Sequence, residues 1–325
     1  MTTPHQIEKI VHDVSLTAIK HWLKISELEH SAQNAGELYE RLAKLIDADK
    51  LTAENLKAAV LEIEENGAKR MFLQKVLDTQ RIRSREAFEK HLKSISLSLS
   101  KTPTETIYTP RRPTLNYVYW GNPEVRIKFS ETHERVDVNL ETGQVQRYDI
   151  TKFIVIKSEA ATGFTTIALD APEEVHPHKD TEGKSKRALY EEYYFNKAVE
   201  ILGSEMTAFE LAGVAEGLAL TEPRIFRLPN ELVRTGGNSR QRYSTRFDVR
   251  DDPAHKAAAK ADGDNWLYED ISGYWIPGRS AGALQRELFM QLVSRSSMLR
   301  FLADCLAAEV GYAITQVRAL SEKVS

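Results

Sequence analysis

Tyr117-Val118-Tyr119-Trp120-Gly121-Asn122-Pro123-Glu124-Val125-Arg126-Ile127-Lys128-Phe129 is the stretch that decides the fold class. Val125, Ile127 and Phe129 alternate with Arg126 and Lys128, a period of two in which successive side chains take opposite faces of a strand. Gly121-Asn122-Pro123 supplies a turn between this strand and the Tyr117–Trp120 strand before it. Downstream, Val136, Val138 and Leu140 form the next strand, Glu141-Thr142-Gly143 turns the chain back, and Phe153–Ile156 and Phe164–Leu169 add two apolar strands. Short consecutive strands joined by tight turns predict an antiparallel meander rather than βαβ units.

Upstream, the period is helical. Ile7, Val11, Val14 and Ala18 lead into Trp22 and Ile25, and Leu38, Leu42 and Leu45 recur at the same spacing. Thr52 is placed to cap a helix carrying Leu56, Val60 and Ile63, with Glu54 in its first turn and Gly67 as a left-handed stop. Phe72 with Val76, and Phe88 with Leu92 and Ile95, read as two further short helices. Residues 1–98 are therefore expected to form a helical bundle, an interaction module suited to a protein partner. Ser/Thr/Pro-rich residues 99–113, with Pro103, Pro110 and Pro113, read as a linker.

Residues 114–325 are expected to form an α+β domain with a mainly antiparallel sheet and helices packed on one face. Leu189–Leu202 reads as a helix closed by Gly203, and Thr207-Ala208-Phe209-Glu210 as a capping box opening another. Strands are expected at 224–228, 240–250 and 266–276. Leu288, Leu292, Leu299, Leu302, Leu306 and Val310 read as the apolar stripe of a long C-terminal helix.

Among 325 residues, 44 Lys and Arg stand against 47 Asp and Glu, a net charge of −3. No polybasic protein has that balance, so any nucleic-acid site has to be a local patch. The single cysteine, Cys305, excludes an intramolecular disulfide framework and a multi-thiolate zinc site. Among apolar neighbours it reads as a core thiol. No signal-type apolar stretch follows Met1 and no run of ~18 apolar residues occurs. The sequence thus predicts a cytoplasmic protein without membrane contact.

Arg240-Gln241-Arg242-Tyr243-Ser244-Thr245-Arg246-Phe247-Asp248-Val249-Arg250 carries the most specific signal. In an extended strand Arg240, Arg242, Arg246 and Arg250 share one face, spread over ~33 Å at ~3.3 Å per residue. Tyr243, Thr245, Phe247 and Val249 take the other, core-facing side. Residues 221–250 hold Arg224, Arg227, Arg234, Arg240, Arg242, Arg246 and Arg250 against Glu222, Glu231 and Asp248, with no lysine. Arginine's rigid donor fork suits bidentate contacts to phosphate. A strand with one wet face also carries arginines simply to pair with neighbouring acids. Arg126 and Lys128 extend the patch if their strand neighbours this one.

His176-Pro177-His178-Lys179-Asp180 offers two imidazoles and a carboxylate from one loop, a partial metal-ligand set. It supports an alternative reading as a metal-dependent hydrolase or nuclease centred on His176, His178 and Asp180. Phosphate-cradling motifs of the Gly-x-x-x-x-Gly-Lys and Gly-x-Gly-x-x-Gly types are absent, and no cofactor is expected. The leading expectation is a non-enzymatic nucleic-acid or phosphate-ligand binding protein, with DNA and RNA both open. The remaining alternative is a protein–protein adaptor.

Overall fold

The computed structural model describes residues 2–11, 14–102, 112–138, 143–170, 185–280 and 282–324. The chain is mixed α+β, and it divides into two compact units: Met1–Ala68 with Glu210–Ser325, and Lys69–Phe209. These borders differ from the sequence division at 99–113.

Four helices open the first unit: α1 (Pro4–Val11), α2 (Leu16–Ile25), α3 (Ala35–Asp47) and α4 (Ala53–Asn66). Their apolar stripes meet in one core built from Ile7, Val11, Ile19, Leu23, Leu38, Leu42, Leu56 and Ile63. Asn34 accepts the Glu37 amide at 2.9 Å, and Thr52 Oγ1 accepts that of Asn55 at 3.0 Å, so both caps follow from side chains that satisfy free first-turn amides. Gly67 follows α4 with φ −51°, so the helix stops there without a left-handed residue.

The second unit is a run of antiparallel strands with two helices: β1 (Lys69–Val76), α5 (Arg85–Ser94), β2 (Thr114–Gly121), β3 (Glu124–Val138), β4 (Val145–Glu159), β5 (Phe164–Asp170), α6 (Lys186–Leu202) and β6 (Met206–Ala208). The order β2-β3-β4-β5-β1 is an antiparallel meander with β1 added, but Val136 and Val138 continue β3 instead of forming the separate strand expected of them, and β6 pairs with β1. α6 begins at a Ser185 cap on the Ala188 amide (3.1 Å) and ends at Gly203 with φ 73°, the left-handed conformation glycine adopts without cost.

Two expectations fail here for identifiable reasons. Phe72 and Val76 lie on a strand, not a helix: Met71, Phe72 and Leu73 are all buried, so β1 carries a continuous apolar run without alternation. Thr207 to Glu210 does not form a capping box, because Thr207 and Ala208 pair with Lys75 and Gln74 of β1.

The first unit resumes with α7 (Ala212–Leu220), β7 (Phe226–Arg234), β8 (Arg240–Ser244), α8 (Pro253–Asp262), β9 (Leu267–Trp275), β10 (Leu288–Val293), β11 (Met298–Phe301) and α9 (Ala307–Val324). Its strand order is β11-β10-β9-β7-β8, with every described pairing antiparallel. The long C-terminal helix read from the sequence is therefore shorter. Leu288, Leu292 and Leu299 belong to a hairpin whose first strand alternates strictly between buried and half-buried positions. The spacing from Leu288 to Leu292 suits a helix and a strand equally. α9 starts only where two carboxylates meet free amides: Glu309 accepts from Leu306 N and Glu62 from Ala307 N, each at 2.9 Å.

Among the described residues, no helix is long and apolar enough to cross a membrane.

Candidate anion-binding face

Pairing register gives the sheet of the first unit two unlike faces. Leu288, Met290, Leu292, Ile271, Trp275 and Phe226 line the buried one. There Trp275 meets Tyr312 of α9 edge-on at 5.7 Å, and α7 packs on β9. Register partners place Arg227, Asn230, Leu232, Arg234, Arg240, Arg242, Ser244, Ser272, Tyr274, Phe289, Gln291 and Arg300 on the opposite face, nearly all half-buried or exposed. Arg240 lies opposite Arg234, and Arg242 opposite Leu232.

The arginine strand is shorter than the sequence suggests. β8 ends at Ser244, so of the four expected rungs only Arg240 and Arg242 lie on it. The reason is Asp248. Its buried carboxylate accepts the amides of Leu228 and Arg250, each at 3.0 Å, which turns the chain inward into a 3₁₀ turn over Val249–Asp251. Arg250 is drawn in with it. Its Nε and Nη2 donate to Asp248 (2.8 and 2.7 Å), Nη2 also to Phe226 O (2.6 Å), and Nη1 to the carbonyls of Ala219 and Thr221. All three side-chain nitrogens hold the fold, which leaves Arg250 no free donor for a ligand. Arg246 is exposed and pairs with no acid among the described residues, and Phe247, expected in the core, is 70% exposed.

Arg126 and Lys128 sit elsewhere. They lie on β3, which pairs with β2 and β4, whereas β8 pairs with β7. Arg126 is bonded to Glu124 at 2.6 Å. Lys128 is 0% exposed, its Nζ 4.9 Å from the Phe153 ring centroid, because its register partners Tyr117 and Val155 are themselves core residues. His176, His178 and Asp180 lie outside the described residues, as does most of the 99–113 segment. Among the described residues, no group of three or more His, Cys, Asp or Glu is placed to hold a metal ion. Cys305 is buried just before α9. Burial, with Glu309 nearby, pushes its thiol up to about 12, so it stays protonated at neutral pH.

What the fold adds is a cluster the sequence did not reveal. Glu269, only 7% exposed, is shared by Arg234 (2.6 Å), Arg240 (3.0 Å) and Arg295. One carboxylate cannot neutralise three guanidiniums. Toward the other end of this face Arg227 pairs with Glu287, and Arg300 has no acidic partner among the described residues. Burial pushes the Asp270 carboxyl up, Arg242 pulls it down, Glu269 pushes it up again and Arg240 draws it down, and the net direction is upward. Arg227, Arg234, Arg240, Arg242, Arg295 and Arg300 against Glu269, Asp270 and Glu287 leave a surplus of three positive charges on this face. The contributions of β10 and β11 were missed because 288–302 read as helix. The alternation of Leu288, Met290 and Leu292 with Phe289, Gln291 and Val293 was the signal that could have found them.

Behind β8, on the helix-covered side, Glu231 and His255 form a buried pair at 2.6 Å. The Tyr243 ring lies 5.0 Å from that of His255 and stacks on Trp266 at 5.4 Å. This cluster fixes the underside of the strand that presents Arg240 and Arg242.

No known protein-family model matches the chain, and no curated protein matches it.

Proposed function

We propose that this protein binds a phosphate-bearing polyanion, nucleic acid foremost, on the open face of the β11-β10-β9-β7-β8 sheet, without catalysing a reaction on it. The observation that carries the reading is the gathering of Arg234, Arg240 and Arg295 around the single carboxylate of Glu269. Guanidiniums held in place by a shared acid are pre-organised, and their surplus charge is available to an anion. Contacts of this kind fix register on a phosphate backbone and carry little sequence information. In this reading Arg240 and Arg242 contact phosphates together with Arg234, Arg295 and Arg300, and Arg250 supports the fold beneath.

Fluorescence anisotropy with labelled DNA and RNA across a salt series tests this. A surplus of three charges gives a slope of log K against log salt of about −2 to −3, from ~0.7 per phosphate on single strands and ~0.9 on duplex. Arg240→Ala with Arg242→Ala should reduce that slope by roughly 2. Arg85→Ala, on α5 of the other unit, should leave it unchanged. Absence of binding at low salt, or an unaltered slope in the double variant, overturns the reading.

A further inference from the structure

Pairing register arranges the open face in rows that run across the strands, and the rows differ in chemistry. At one end Arg227, Tyr274 and Phe289 are direct partners across β7, β9 and β10. The Arg227 guanidinium lies 4.3 Å from the Tyr274 ring centroid, and Tyr274 meets Phe289 at 5.0 Å. Glu287 pins the same guanidinium by an ion pair. All three side chains are half-buried, on the face opposite the one where α7 and α9 pack. The next row is Ser244, Asn230, Ser272, Gln291 and Arg300. The side chains of Ser244, Asn230, Ser272 and Gln291 make no hydrogen bond among the described residues. Beyond it lies the guanidinium end, with Arg242, then Arg234 opposite Arg240. Over about seven residues of strand, ~23 Å from the row of Tyr274 to that of Arg234, the surface passes from flat π surface through unused amides and hydroxyls to concentrated positive charge.

We propose that the ligand on this face is single-stranded nucleic acid, its bases stacked on Tyr274 and Phe289 and edged by Asn230 and Gln291, its phosphates on the arginine end. This rests on the polyanion reading above and narrows it. A single strand of several nucleotides can lay unpaired bases on the aromatic row and carry its phosphate backbone on to the guanidinium end. A duplex hides its base faces in the stack and presents only edges in grooves that admit a helix or a two-stranded ribbon, not a broad sheet. An acidic peptide supplies charge but nothing for the aromatic row. Stacking on aromatic side chains is tolerant of sequence, because every base has a π face.

The test compares three labelled probes of equal length: oligothymidylate, its duplex with oligoadenylate, and an abasic deoxyribose-phosphate oligomer. Polyglutamate serves as competitor. Oligothymidylate should bind more tightly than the abasic oligomer by roughly 5- to 150-fold per stacked base, and more tightly than the duplex. Polyglutamate should compete poorly. Tyr274→Ala with Phe289→Ala should abolish the preference for bases while keeping the abasic affinity and its salt slope, and Tyr274→Phe should retain it. Independently of any variant, a bromouracil-substituted strand irradiated on the unaltered protein should crosslink at Tyr274 or Phe289. Equal affinity for the abasic oligomer, equal or tighter binding of duplex, effective competition by polyglutamate, or crosslinks confined to other residues overturns the single-strand proposal while leaving the polyanion reading intact. Failure of every probe to bind at low salt removes the polyanion reading itself, and this proposal with it.

Discussion

Glu309 and Glu231 are both buried carboxylates beside a histidine, and their surroundings drive their proton affinities in opposite directions. Burial pushes Glu309 up, but His21 (3.0 Å), the Leu306 amide and Arg286 (3.2 Å) more than offset it and hold the carboxyl below its ordinary value. A depressed carboxylate contributes stability that is complete above its unfolded value, near 4.3, and is lost as pH falls through the folded one. For Glu231 burial dominates over the pull of His255 and Arg250, and the net shift is upward. A raised carboxylate favours the fold most below its unfolded value, and that advantage fades as pH rises through the folded value. Glu309→Gln should therefore cost about 3 kcal/mol at neutral pH, the scale for removing one partner of a buried charged network, and the deficit should shrink on acidification. The deficit of Glu231→Gln should instead shrink as pH rises. Urea unfolding midpoints of both variants and of the unaltered protein, from neutral pH down to below the ordinary carboxylate value, measure the two slopes, and deficits that change with the same sign would contradict this account.

At the scale of elements, Gly273 shows how tightly the sheet is built around its aromatic residues. It lies mid-β9 opposite Met290, and a Cβ there would come within 2.4 Å of the Phe226 ring and 2.5 Å of the Arg227 carbonyl. Gly273→Ala is expected to destabilise by at least about 2 kcal/mol, since neither backbone nor a buried ring yields easily. Gly278→Ala, with open space around it, should be neutral. Chemical denaturation of the two variants checks both outcomes. The same packing explains what could be read from the sequence and what could not. Caps were legible at Thr52 and Gly203's helix end because they depend on local amides. The meander from β2 to β5 was legible because its strands alternate or carry tight turns. β1 and the β10–β11 hairpin were not, because a strand buried on both faces and one with leucines four apart both imitate helical spacing. Asp248 misled the reading of β8, since nothing local announces that a carboxylate will cap the distant Leu228 amide.

At the scale of the whole molecule, the first unit is discontinuous in sequence, and its halves depend on each other. Leu306 belongs to the core of α1–α4, His21 on α2 bonds Glu309 on α9, and Glu62 on α4 accepts the Ala307 amide. Lys69–Phe209, by contrast, is continuous in sequence and pairs β2, β3, β4, β5 and β1 in one antiparallel run, with α6 packed on the sheet through Phe72–Phe195 and Phe129–Tyr194. A fragment of residues 69–209 is therefore expected to fold alone, giving a dispersed amide spectrum and a cooperative urea transition. A fragment of residues 99–325 should do neither: it lacks β1, the register partner of β5 and β6, and it strips Leu306 and Glu309 of the helices that bury them. Deleting residues 1–98 is consequently no clean probe of a partner-binding role for the N-terminal helices. Exposed positions on α3 such as Glu40 should be substituted instead, in the intact chain. A cooperative transition in the 99–325 fragment would show that the halves of the first unit are far less interdependent than their shared core and ion pairs imply.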